Sequence, residues 1–136
     1  MIDALLVPER TVVTANGESA PLDLSRAETR IFLLTLSIIS AVEQESIELS
    51  VFTSEDGTKW DSKSIAVLPQ KFYLGEYPLL VDLSAAPNAK FVRVHWDVNR
   101  WGRGPTAPHF EIAVRVREVP REILQEATER TATRPR

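Results

Sequence analysis

The chain contains no cysteine. That absence excludes disulfides, thiolate zinc sites and cysteine nucleophiles, and it fits a reducing compartment, either the cytoplasm or a particle. Histidine is nearly absent too, with only His95 and His109. No H-x-E, H-E-x-x-H or D-x-D-x-D-G spacing occurs, so metal ligation has no sequence support. Neither a P-loop nor a G-x-S-x-G elbow is present. No apolar run is long enough to cross a bilayer, because the longest, Ile31 to Ile39, is short and contains Thr35 and Ser37. The opening residues Met1 to Pro8 place no basic segment ahead of their short apolar run, which argues against a secretory signal. The expectation is a chain with no catalytic site, no metal and no cofactor.

What is there is ordinary globular material. The 136 residues are 43% hydrophobic and 26% charged, the size and composition of one domain that buries its own core. The net charge of −3 is unevenly spread. Residues 1–68 carry a net −6 and residues 69–136 a net +3. Such a dipolar chain suits head-to-tail self-association or an anionic partner, or it is simply a mixed solvated surface. The total is too acidic for a general nucleic-acid binder.

Apolar residues recur with period 2. Val92, Val94, Trp96 and Val98 share one face of a strand over 90–98, opposite Phe91, Arg93, His95 and Asp97. Phe110, Ile112, Val114 and Val116 do the same over 109–119, opposite Glu111, Arg115 and Arg117. Ile47, Leu49 and Val51 form a third inward set, with Phe52 on the outer face. This rhythm marks strands with one face in a core and one in water. The run from Arg30 to Ile39 is apolar on both faces and predicts a strand buried on both sides. Shorter strands are expected at 11–15, 21–24, 64–68 and 79–83, with turns at Asn16-Gly17, Asp56-Gly57 and Pro87-Asn88. Seven or eight short strands and nine prolines predict an all-β fold, a two-sheet antiparallel sandwich over residues 1–119. Residues 120–136 form a separate arm. Pro120 opens a short helix there, with Ile123, Leu124 and Ala127 as a thin apolar stripe.

The segment Ser54 to Trp60 is a corner. Gly57 accepts positive φ, Ser54 or Asp56 accepts backbone amides inside the turn, and Trp60 folds back as an apolar plug. The pattern Ser54-x-Asp56-Gly57-x-x-Trp60, followed by Phe91-Val92-Arg93-Val94, resembles the discoidin, or coagulation-factor C-type, branch of galactose-binding-like sandwiches across roughly residues 47–117. The resemblance implies a jelly-roll sandwich that binds sugars, lipids or proteins through loops at one end. The family's usual opening pattern is missing here and its disulfide is impossible, so no sugar or lipid site carries over.

Two segments are candidates for binding. The stretch Asn99 to Pro108 joins the two clearest strands and holds Arg100, Trp101 and Arg103, where a plain connection needs only a short polar turn. Tryptophan and arginine are the residues most enriched at binding hot spots. Either arginine can grip a carboxylate or phosphate, and Trp101 can stack on a sugar or a partner side chain. The alternative is that Trp101 caps the sandwich and the arginines pair with acidic neighbours. The second segment, 70–77, places Phe72, Tyr73 and Tyr77 close together, as an interaction patch or as a satellite core under the loop. Glu43 and Glu45 share a strand face, as glycosidase carboxylates do and as many solvated acids do. Taken together, the sequence points to a non-catalytic binding sandwich for a protein partner, itself included, or a glycan. A structural subunit of a larger particle is the alternative, and a small carbohydrate-active enzyme a distant third.

Overall fold

The computed structural model describes residues 1–101 and 107–125. Nine strands follow in order: β1 (Asp3–Val13), β2 (Gly17–Glu18), β3 (Leu22–Asp23), β4 (Ile31–Ala41), β5 (Glu45–Ser54), β6 (Ala66–Lys71), β7 (Gly75–Asp82), β8 (Phe91–Arg100) and β9 (Phe110–Glu118). They build two antiparallel sheets. One has the order β1-β9-β4-β7; in the other β5 lies between β6 and β8, and both β2 and β3 pair with the far edge of β8. This is the strand order of a jelly roll, in which the chain passes repeatedly from one sheet to the other.

The core follows the period-2 rows. Phe32, Leu34, Leu36 and Ile38 of β4 meet Ile47, Leu49 and Val51 of β5, Val92 and Val94 of β8, and Phe110, Ile112, Val114 and Val116 of β9 in one buried cluster. Trp96 and Val98 continue the β8 row and pack against it from the half-buried margin. A gap of about 10 Å3 between the sheets is wholly apolar, lined by Leu34, Val51, Val92 and their neighbours. A space of that size holds one water at most.

Three expectations are corrected. β4 is buried on one face only: Ile31, Leu33, Thr35, Ser37 and Ile39 point outward and stay half-exposed, because β4 sits in a two-layer sandwich and no third layer covers its far side among the described residues. The first strand begins at Asp3 instead of residue 11, since the short apolar opening pairs with β9 from Asp3↔Arg117 onward. Its register breaks between Val7 and Thr11, where Arg10 takes φ 60°, and such a bulge blunts an exposed sheet edge. Trp60 is not a buried plug. It bridges to Ser54 and lies half-exposed under Arg93, whose guanidinium carbon is 4.2 Å from the ring centre.

The rest of the corner forms as expected. Gly57 has φ 82° and donates to Ser54 Oγ at 2.9 Å, while Thr58 and Lys59 donate their amides to Asp56 Oδ1 at 2.9 and 2.8 Å. These two amides hold the Asp56 carboxyl far below the usual carboxylate range. At the C-terminal side residues 121–125 make one helical turn, with Leu124 donating to the Pro120 carbonyl. The remainder of the expected arm lies outside the described residues.

Candidate functional site

Alternate crossings between the sheets bring four connections to one end: β1–β2, β4–β5, β6–β7 and β8–β9. The register shows why they meet. Ala41 pairs with Phe110, Ile38 with Gly75, and Glu45 with Arg100, so the ends of five strands converge there. Two candidate segments far apart in sequence are thereby joined. Phe72 lies edge-on to Trp101, with ring centres 5.9 Å apart and planes at 75°. Tyr73 is tilted at 55° to Phe72, with centres 6.3 Å apart. Between these rings and residues 41–45 opens a pocket of about 480 Å3, whose wall among the described residues is completed by Leu74. That volume falls in the range of small-ligand clefts. Trp101 is 53% exposed, Tyr73 77% and Leu74 60%, so the aromatic surface faces water and is no satellite core.

The pocket is held from beneath. Glu45 is 1% exposed, and its two oxygens accept the Val42 amide at 2.8 Å and the His109 amide at 2.7 Å. One buried carboxylate thus ties the β4–β5 turn to the segment that leads into β9. Trp101 donates its own amide to the Gln44 carbonyl at 3.0 Å, and Gln44 holds φ 60°. That left-handed backbone is rare outside glycine, so the turn is fixed by its surroundings. Gly75, at φ 149°, lets the chain reverse into β7, where an added Cβ would meet Tyr77 Oη at 3.4 Å. Tyr77 donates that hydroxyl to the Tyr73 carbonyl at 2.6 Å and carries Lys71 Nζ 5.2 Å from its ring centre. It therefore buttresses the Tyr73 backbone and does not line the pocket.

Arg100 ends β8 in the inward row and is half-buried; its Nε finds no hydrogen-bond partner. It stands opposite Glu45 in the register and is not part of the pocket wall. Arg103 lies outside the described residues. Glu43 and Glu45 do not act as a pair, because Glu45 is turned inward onto backbone amides while Glu43 is exposed at the pocket wall. Residues the sequence reading passed over are Glu45 as the tie and Leu74 as a wall. Glu45 had a legible signal: it extends the inward row of Ile47, Leu49 and Val51, where an acid must find buried donors.

The opposite end is different. A shallow groove of about 210 Å3 runs between Ser54, Glu55, Asp61 and residues 85–89 and has no aromatic side chain in its wall. His95 lies on the outer face of the second sheet, its Nε2 3.4 Å from Asp97 Oδ1 and its ring edge-on to Phe52. Among the described residues no three metal-ligating side chains converge, and no helix is long and apolar enough to cross a membrane. No protein-family model matches the chain, and no curated protein matches it in sequence.

Proposed function

We propose that the protein is a non-catalytic recognition module and that its aromatic loop end engages a partner, protein or glycan. The observation that carries this reading is the exposure of Trp101, Tyr73 and Leu74 around one open pocket whose backbone is fixed by Glu45 and Gln44. Exposed apolar side chains on rigid supports lose little conformational freedom on binding, which is what a hot spot needs. Glycan and peptide arrays probed in parallel with the native chain and with Trp101→Ala test it. Signal on either array that disappears in the variant supports the reading; equal signal from both proteins, or none from either, sinks it.

A second reading is a structural subunit of a larger particle. What favours it is the outward face of the first sheet, where Leu80, 60% exposed, pairs with the half-exposed Leu33, and Leu5, 49% exposed, stands beyond Arg115 of β9. Light scattering separates the two: a monomer that binds an array through Trp101 removes the second reading, and a defined oligomer disrupted by Leu80→Asp establishes it. Kinship with the discoidin-like sandwiches is part of the proposal only as a scaffold, resting on Ser54, Asp56, Gly57 and Trp60.

A further inference from the structure

The aromatic pocket has a charge character that narrows its ligand. We infer that it takes a weakly hydrated organic cation, an alkylated ammonium or the basic side chain of a partner, and this rests on the recognition reading above. Tyr73 is tilted at 55° and Trp101 stands at 75° to Phe72, and all three rings belong to residues that line the pocket. Each ring face is electron-rich and attracts a cation placed within about 6 Å of its centre. The charged residues of the described wall are Glu43 and Glu45, both acidic. Glu45 is occupied by the amides of Val42 and His109, which leaves the exposed Glu43 carboxylate as the available counter-charge.

The other aromatic groups of the surface make the contrast. Trp60 already holds Arg93 at 4.2 Å, and Tyr77 already holds Lys71 at 5.2 Å. The three pocket rings hold no cation among the described residues, since Lys71 turns to Tyr77 and Arg100 stays outside the wall. A sugar is a poorer match. Hydroxyl recognition needs several pre-aimed polar groups, and with the Gln44 carbonyl taken by Trp101, the Tyr73 carbonyl by Tyr77 and both oxygens of Glu45 by backbone amides, the wall offers the exposed side chains of Glu43 and Gln44, which nothing holds in place among the described residues.

The test uses choline and its uncharged isostere 3,3-dimethylbutan-1-ol, followed through the three indole N–H resonances of the full chain, with the Trp101 signal identified by Trp101→Phe. Choline is expected to shift the Trp101 resonance in the millimolar range and the alcohol to bind at least about tenfold more weakly. Glu43→Gln, an exposed substitution, is expected to weaken choline about threefold to tenfold and leave the alcohol unchanged. Short Gly/Ser peptides bearing one lysine or one trimethyl-lysine separate the sources: tighter binding of a peptide than of choline assigns the cation to a protein partner, and equal binding to a free small molecule. Equal affinity for choline and the alcohol at Trp101 overturns the cation inference and leaves the recognition reading standing. No shift at Trp101 with any probe overturns the inference as well, and the recognition reading falls with it only if the arrays are also indifferent to Trp101→Ala.

Discussion

The Thr29 amide donates to Glu118 Oε2 over 2.7 Å, and the same carboxylate also takes the amides of Glu28 at 2.8 Å and Ile2 at 3.0 Å. One 5%-exposed side chain at the end of β9 therefore fixes the start of the chain and the approach to β4. Burial acts to raise its pKa, but the amides of Ile2, Thr29 and Glu28 outweigh it and hold the carboxyl below the ordinary 4.5. A depressed folded pKa gives stability that is present above the unfolded value and is lost as pH falls through the folded one. Glu118→Gln keeps the shape but cannot accept all three amides, and is expected to cost about 2–3 kcal/mol at neutral pH. Thermal unfolding followed from pH 7 to pH 3 should fall less steeply in the variant. It will not become flat, because Asp3 (held low by Arg115), Asp23 (by Ser25), Asp56 (by Lys59 and Thr58) and Asp82 (by Ser84) titrate with the same sign.

Glu45 does at the aromatic end what Glu118 does at the other. Glu45→Ala removes the acceptor of the Val42 and His109 amides and leaves both without it at a buried position, and is expected to destabilise by about 2–4 kcal/mol. Its particular signature is local: hydrogen exchange should accelerate at Val42, His109 and Trp101 well before it does in β5. Exchange that accelerates evenly across both sheets would show that Glu45 supports the whole core and not the pocket wall.

At the corner, Ser54 is 1% exposed and its hydroxyl donates to the Lys59 carbonyl while accepting the Gly57 amide. Ser54→Ala is expected to cost about 1–3 kcal/mol in denaturant unfolding. Gly57→Ala forces a side chain into φ 82° and is expected to cost about 1–2 kcal/mol, although the space beside Phe91 accommodates a Cβ at 3.5 Å. A Gly57→Ala protein as stable as the native one would contradict the left-handed turn.

The two sides of the Trp101 position predict opposite outcomes for large aromatic deletions. Trp101→Ala is expected to change stability by less than about 1 kcal/mol, since the side chain is mostly in water. Phe110→Ala, nine positions along and fully buried, is expected to cost about 3–5 kcal/mol. Chemical denaturation of both variants checks the assignment of one ring to function and the other to the core.

Arg93 stacks on Trp60 and also reaches Glu18 Oε2 at 3.2 Å, linking the corner to β2 across the outer face of the second sheet. Arg93→Lys keeps the charge but loses the flat guanidinium, and is expected to cost about 0.5–2 kcal/mol and to red-shift the Trp60 emission. Unchanged emission would mean that the stacking is not maintained in solution.

The sandwich was readable because β5, β8 and β9 alternate cleanly, and a row such as Val92-Val94-Trp96-Val98 has only one good way to be buried. The first strand was less readable. Its bulge at residues 8–10 breaks the alternation, and its partner residues in β9 lie between 97 (Val13↔Phe110) and 114 (Asp3↔Arg117) positions away. β4 misled for the opposite reason: its outward Ile31, Leu33 and Ile39 look like core in sequence, and only the layer count shows that one face is left in water. Both binding segments were visible as aromatic-rich loops, but their meeting was not. Phe72 and Trp101 touch because the crossings between sheets stack four loops at one end, a consequence of strand order that local pattern does not encode.

Pairing of the first strand with the last has a further effect on how the molecule is made. A ribosome has to release Phe110–Glu118 before β1 or β4 can gain its central neighbour, so that sheet stays incomplete until its latest strand has been made. Until then β4 can have β7 along one edge only, and completion of the sheet depends on slow, long-range closure.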